Sequence, residues 1–150
     1  MEAEVYPDAR VAGYVKDNFV PVKIHVKEQP AAFKRFGTQW TPTMLVLDAD
    51  GKESHRFEGY LPVEEFLAQL HFGLAQVEFK REAWAEAESR FRELVKQFPK
   101  SDAAPEALYW AGVAKYKGSG NGSALGETAG LLAKQYPAST WAKKASVWAH

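Results

Sequence analysis

The spacing of apolar residues divides the chain into a mixed first half and a helical second half. Apolar residues at helical intervals predict helices over residues 8–18 and 29–36. Residues 19–26 alternate apolar and polar side chains and are rich in β-branched types, which predicts a strand. Residues 43–47 form a nearly continuous apolar run, which is typical of a strand covered on both faces.

A hairpin is predicted directly after this second strand. Asp48-Ala49-Asp50-Gly51 favours a tight turn, because Asp tolerates and Gly readily adopts a positive φ angle. Ser54 to Tyr60 is then the returning strand. From Pro62 onward the pattern is helical, with helices expected over residues 62–79, 82–97, 104–117, 123–136 and 139–148.

The helical half contains an internal repeat. Lys96-Gln97-Phe98-Pro99-Lys100-Ser101 returns as Lys134-Gln135-Tyr136-Pro137-Ala138-Ser139, thirty-eight positions later. Each copy contains a helix end, a proline-containing turn and the start of a new helix. Stacked helical hairpins require this arrangement to be repeated along the chain.

Composition and charge narrow the range of partners. The chain is 46% hydrophobic and 25% charged, which indicates a globular protein. Nineteen basic residues balance nineteen acidic ones, so we expect neither a nucleic acid nor a membrane as a partner. The start of the chain lacks the pattern of a signal peptide, and the sequence as written therefore predicts a cytoplasmic protein.

The chain contains no cysteine, which excludes disulfides, thiolate nucleophiles and zinc–thiolate sites from it. Its four histidines, at positions 25, 55, 71 and 150, show no spacing typical of metal ligands. We therefore expect neither a metal nor another cofactor. Trp84, Trp110, Trp141 and Trp148 are more simply explained as core residues than as a ligand cage.

The second half, residues 73–150, resembles tetratricopeptide repeats. Leu74 and Ala75, then Ala87, Phe91 and Pro99, stand at the spacing that the motif uses. The resemblance implies an all-α region in which small residues admit close helix contacts and large residues fill the gaps between helices.

The first half, residues 1–72, resembles thioredoxin-like proteins of the disulfide-interchange type. The matching stretches follow in the family's order: residues 1–6, 19–22, 40–43 and 48–51. The resemblance implies an α/β fold, an incomplete thioredoxin-like β-α-β-β-α unit, and a cis peptide bond before Pro42. It also implies that the first βα unit, with the redox cysteines of the family, has no counterpart in this chain.

In the family, the strand without a counterpart lies between the strands that match residues 20–26 and 43–47. Its loss would leave apolar edges unpaired in the middle of the sheet. Three solutions follow. The two remaining strands close directly on one another, a second chain supplies the neighbouring strand, or the chain is a piece of a longer protein.

The resemblance also implies a binding site at Trp40, Thr41, Pro42 and Thr43. A cis-Pro42 would expose the backbone of Thr41 to an extended peptide, which could pair with it like an added strand. This arrangement predicts a non-catalytic module that binds protein or peptide segments.

Two other functions stay open at this stage. One is the C-terminal portion of a thiol-disulfide oxidoreductase whose Cys-x-x-Cys lies upstream of Met1, in which Pro42 belongs to the active site and a periplasmic location applies. The other is self-association as a homodimer that repairs the sheet between chains.

Overall fold

The computed structural model describes residues 1–149. In chain order its elements are α1 (Ala9–Asn18), α2 (Pro30–Arg35), β1 (Thr43–Leu47), β2 (Glu53–Glu58), α3 (Val63–Lys80), α4 (Trp84–Gln97), α5 (Ala103–Ser119), α6 (Ser123–Gln135), α7 (Thr140–Ala145) and a 3₁₀ turn (Ser146–Trp148).

The predicted first helix is confirmed as α1. Asp8 precedes it, and its carboxylate accepts a hydrogen bond from the backbone N–H of Arg10 at 2.9 Å, which satisfies one of the free amides of the first turn. Val11 is buried, and α1 packs against α3. The predicted second helix is confirmed as α2, which ends before Gly37 at a φ angle of 59°.

The strand predicted over residues 19–26 is wrong. This segment contains no strand, and every residue from Val20 to Ala31 is exposed. Val20 and Val22 keep 91% and 78% of their surface in contact with solvent. A strand is stabilised by hydrogen bonds to a neighbour, and within residues 1–149 no strand lies beside this segment. The alternating pattern alone therefore does not make a strand here.

The predicted hairpin is confirmed as an antiparallel pair of β1 and β2. Met44 lies opposite Phe57 and Val46 lies opposite His55, with a register shift before Leu47. Gly51 in the turn has a φ angle of 81°. The expectation that β1 is covered on both faces is wrong, because only Val46 of this strand is buried and Leu47 is 37% exposed.

Helix α3 joins the two halves of the molecule. It packs against β1 and β2 on one side and against α4 and α5 on the other. Because it contacts both halves, it buries residues on several of its faces rather than along one stripe. The boundary predicted between residues 72 and 73 falls inside this helix. The continuous core that results contains Phe57, Phe66, Phe72, Phe91 and Leu94.

The repeated sequence forms the same turn twice. Ser101 and Ser139 each donate a side-chain hydrogen bond to the carbonyl three residues earlier, at 2.8 and 2.9 Å. Leu94 and Leu132, which occupy equivalent positions, are both fully buried. The internal repeat therefore corresponds to a structural repeat of helix, turn and helix.

The last predicted helix, 139–148, is confirmed only up to Ala145. Beyond it the chain tightens into a 3₁₀ turn. The Ser146 hydroxyl donates to the Lys143 carbonyl at 2.7 Å, a local bond that competes with helical hydrogen bonding. Trp141 and Trp148 pack around Leu108 and Leu132 in a second, smaller core, as predicted for these tryptophans.

Candidate peptide-binding site

The four residues singled out by the sequence lie together between α2 and β1. Trp40 is 67% exposed, and the Thr41–Pro42 peptide bond is cis. Thr43 donates its side-chain hydroxyl to the Trp40 carbonyl, which closes a small loop around the proline. The Pro42 carbonyl accepts the backbone N–H of Gly59 at 2.8 Å, so this loop is joined to the end of the hairpin.

One edge of β1 is free. The hydrogen bond between Pro42 and Gly59 continues the β1–β2 ladder. In this ladder the backbone N–H and C=O groups of residues 44 and 46 also point towards β2. In an antiparallel pair the intervening residues direct their N–H and C=O groups to the opposite side. Among the described residues, none donates to or accepts from the backbone of Thr43 or Leu45 on that side. We call these backbone groups of Thr43 and Leu45 the β1 edge.

The corresponding edge of β2 is covered at its start by a charged group of α3. Lys80 of α3 donates its ammonium group to the carbonyls of Glu53 and Ser54 at 3.3 and 3.1 Å. Separately, the Arg56 side chain on the mixed face of β2 donates to the carbonyls of Phe36 and Gly37, and so joins the hairpin to the loop after α2. Charges and covering loops are the usual means by which an edge strand avoids adding another strand. The hairpin is therefore open to strand addition on the β1 side.

The two faces of the hairpin differ in chemistry. Met44 and Val46 lie on the face that packs on α3, where Phe57 makes an edge contact with Phe66 at 5.5 Å between ring centroids. The opposite face is a mixed one, and it carries Thr43, Leu45 and Leu47 beside Glu58, Arg56 and Glu53. A segment that pairs with the β1 edge would therefore meet apolar groups on one face and mixed polar groups on the other.

Two of the four histidines, His55 and His71, serve packing. His55 of β2 hydrogen-bonds Gln69 at 2.6 Å, and its burial lowers its pKa. His71 of α3 stacks on Tyr14 of α1 with ring centroids 4.2 Å apart, and burial lowers the pKa of His71 to about 4. Both rings are therefore neutral near pH 7 and support contacts between elements.

Within residues 1–149, no three His, Cys, Asp or Glu side chains come together as a group that could hold a metal ion. His25 is exposed in the segment before α2, far in sequence from His55 and His71. His150 lies outside the described residues. Over the same part of the chain, no helix is long and apolar enough to cross a membrane.

The helical half presents a second concave surface that the sequence analysis did not single out. It is an open groove of about 640 Å³ between the two repeated turns, and the hydroxyl of Tyr136 donates to the Pro99 carbonyl at 2.7 Å beside it. The groove could have been found from the repeat, because both turns supply it with residues. Its wall includes Lys100, Ser101, Pro105, Ser139, Thr140 and Trp141.

Two family models match parts of the chain. Residues 1–74 match the family model of a thioredoxin-like domain, and residues 61–131 match the family model of an outer membrane lipoprotein. The chain is thus a thioredoxin-like segment followed by tetratricopeptide-like helical repeats. The two matches overlap over the residues that lead into and begin α3. No curated protein and no solved structure matches the chain.

Proposed function

We propose that this chain is a non-catalytic protein-binding module that receives an extended peptide at Trp40–Thr43 and along the β1 edge. The observation that carries the proposal is the unpaired backbone of Thr43 and Leu45, which closely follow the exposed Trp40 in the chain. A peptide in extended form would add as a further strand and gain main-chain hydrogen bonds. The Trp40 ring would supply an apolar contact of the kind that dominates binding energy in small interfaces.

The absence of cysteine supports a binding role. A chain without a thiol has no group that could exchange with a disulfide in a bound peptide. A helical-repeat half is compatible with the same role, since stacked helical hairpins form extended surfaces for other proteins. Binding, followed by release without chemistry, is therefore the activity that these residues support.

The test is an NMR titration of the ¹⁵N-labelled chain with a short soluble peptide of alternating Thr and Val ending in Lys. We expect the largest shifts at the Trp40 indole and at the amides of Thr43 and Leu45. Trp40→Ala should weaken binding about tenfold, a loss of about 1.4 kcal/mol. The matched control is Tyr116→Ala, which removes a 39% exposed aromatic ring in α5 and should leave the affinity unchanged. Equal weakening by both variants would contradict the proposal.

A second function is the C-terminal part of a thiol-disulfide oxidoreductase whose Cys-x-x-Cys belongs to a longer native form. The match of residues 1–74 to a thioredoxin-like domain favours it. The two functions differ in an insulin-reduction assay. Activity in a longer native form, but not in this chain, would support the oxidoreductase, whereas no activity in either would support the binding module. The cytoplasmic or periplasmic location stays a prediction, which fractionation of source cells would test.

A further inference from the structure

Residues 19–26 form an exposed segment, rich in apolar residues, beside which no strand lies within residues 1–149. Its even-numbered residues are all exposed: Val20 to 91%, Val22 to 78%, Ile24 to 41% and Val26 to 37%. Four β-branched residues in alternating positions have the composition and period of a strand. None of the backbone amides of residues 19–26 donates a hydrogen bond to either strand of the hairpin, and the amide of Phe19 donates to Val15 of α1. Within the described part of the chain, the segment is thus a sequence of strand-forming composition without a neighbouring strand.

The same chain carries the matching half of such a pair. The β1 edge has free N–H and C=O groups, whereas on β2 Lys80 covers the carbonyls of Glu53 and Ser54. We propose that two copies of this chain associate with two-fold symmetry, so that residues 19–26 of each copy pair with the β1 edge of the other. This inference rests on the proposed function, because it names a second copy as the occupant of the same edge.

The chemistry of the two faces supports this pairing. One face of the segment is apolar, with Val20, Val22, Ile24 and Val26. The other face is mixed, with Phe19, Pro21, Lys23 and His25. The hairpin likewise has an apolar face towards α3 and a mixed face. One pairing register therefore places the apolar face of the segment next to the apolar face of the hairpin and the mixed face next to the mixed face. Such a match of faces is what fixes the register of a strand pair.

Charge complements the apolar match. Asp48 lies at the end of β1, and the mixed face of the segment carries Lys23. The other acidic groups of the hairpin's mixed face, Glu53 and Glu58, already pair with Arg56, which leaves Asp48 as the acidic group nearest the β1 edge. The present partner of Lys23 is Glu2, and both side chains are more than 70% exposed. An exposed ion pair of this kind contributes little, so Lys23 can exchange Glu2 for an acidic group of the second copy at little cost.

Two-fold symmetry explains why a second copy is the occupant rather than an unrelated strand. Reciprocal pairing covers both copies of the exposed segment and both β1 edges in one closed assembly. An unrelated strand on the β1 edge would leave residues 19–26 exposed. Pro21 is compatible with this arrangement, because proline is tolerated near the start of an edge strand.

The first test is sedimentation of the full chain over about 1 µM to 500 µM, a range that spans weak and strong dimers. We expect a reversible dimer. Val22→Lys should weaken it at least about tenfold, because it places a charge in the apolar face of the pair. The matched control is Val147→Lys, which makes the same change at a residue that is 67% exposed in the 3₁₀ turn. A wild-type chain that stays monomeric, or equal weakening by both variants, would overturn the proposal.

The second test is hydrogen exchange at the amides of Thr43 and Leu45. We expect their protection to rise with concentration in the wild-type chain and not in Val22→Lys. Protection that is independent of concentration would mean that the segment pairs within its own chain, and would also overturn the proposal. Peptide titration of the monomeric Val22→Lys variant tests the proposed function separately, because the second copy does not occupy the β1 edge of that variant. A variant that binds the peptide while the wild-type chain stays monomeric would overturn the dimer alone.

Discussion

Gly73 of α3 lies so close to Val46 of β1 that a Cβ atom at position 73 would stand 2.6 Å from Val46 Cγ2. Real side-chain carbons do not approach so closely, so the helix reaches the sheet only because position 73 is glycine. The contact brings the hairpin, with its free β1 edge, against the helix that begins the repeat region. The geometry of the candidate site therefore depends on a residue of the helical half.

Gly73→Ala is expected to lower the free energy of unfolding by about 1–3 kcal/mol, because the added methyl group overpacks the contact with Val46. Val46→Ala in the same chain should recover part of this loss, because it removes the two methyl groups that the new side chain meets. The measurement is urea unfolding followed by circular dichroism, analysed as a double-mutant cycle.

The control is Gly13→Ala in α1, where no atom lies within 4 Å of the added carbon. This change should stabilise the chain by about 0.5–1 kcal/mol, because alanine is the better helix former. A Gly73→Ala variant that gained stability in the same way would show that the helix and sheet do not approach as described.

Gly112 makes a second close approach, between α5 and Thr128 of α6. A Cβ at position 112 would lie 2.0 Å from Thr128 Oγ1, and Thr128 is itself held by a hydrogen bond to the Ala124 carbonyl at 2.7 Å. Gly112→Ala should destabilise the packing of α6 by about 3 kcal/mol. Hydrogen exchange should show that Gly112→Ala speeds amide exchange, relative to the wild-type chain, more in α6 than in α3. Gly130→Ala in α6, where space is open, should slow exchange in α6 slightly, because alanine is the better helix former.

Tyr136 joins the two repeated turns through its hydroxyl, which donates to the Pro99 carbonyl at 2.7 Å. The equivalent residue of the first repeat is Phe98, so phenylalanine fits this kind of turn. Tyr136→Phe should therefore cost only the hydrogen bond, about 0.5–1.5 kcal/mol of unfolding free energy. Tyr116→Phe removes a hydroxyl from an exposed ring and serves as the control. If the two variants were equally stable, the bond between the turns would contribute nothing.

His71 makes the stability depend on pH. Its pKa is about 4 in the folded chain, because burial beside Tyr14 and Phe98 disfavours the charged ring, whereas the ordinary value is 6.5. The unfolded chain therefore binds more protons between these values, and stability should fall as the pH falls from about 6.5 towards 4. Glu93 favours the charged ring and Arg90 disfavours it. Burial has a larger effect on the pKa of His71 than either of these charges.

The contribution of His71 is on the order of 1–2 kcal/mol, less than full burial would give, because the ring is partly exposed. His71→Phe keeps the stacking and removes the titration. The difference in unfolding free energy between the wild-type chain and His71→Phe should change over this pH range and stay constant above about pH 7. A constant difference at all pH values would show that the pKa of His71 is the same in the folded and the unfolded chain.

Much of the helical half was predictable from sequence. The helices from Pro62 onward follow from the period of their apolar residues, and the turns at Pro99 and Pro137 follow from the repeated motif. These features depend on interactions over a few residues, such as the serine bonds within each turn. Likewise, Asp48 and Gly51 specify the hairpin through local turn chemistry.

The candidate site was predictable only as a stretch of sequence. Trp40 and Pro42 were recognised by their resemblance to a family. Which residues and backbone groups surround them in the fold could not be predicted from the sequence. That the β1 edge is free, and that the edge of β2 is covered by Lys80, depends on which strands are neighbours. A hydrogen-bond ladder joins distant residues, so the sequence of one strand does not reveal whether it has a partner.

Residues 19–26 show this difference most clearly. The sequence by itself determined that they are apolar, alternating and rich in β-branched side chains. Only the tertiary structure decided that they form no strand, because the required backbone hydrogen bonds must come from another strand, and residues 1–149 place none beside them. Local preference is a property of the segment, whereas sheet formation is a property of the pair.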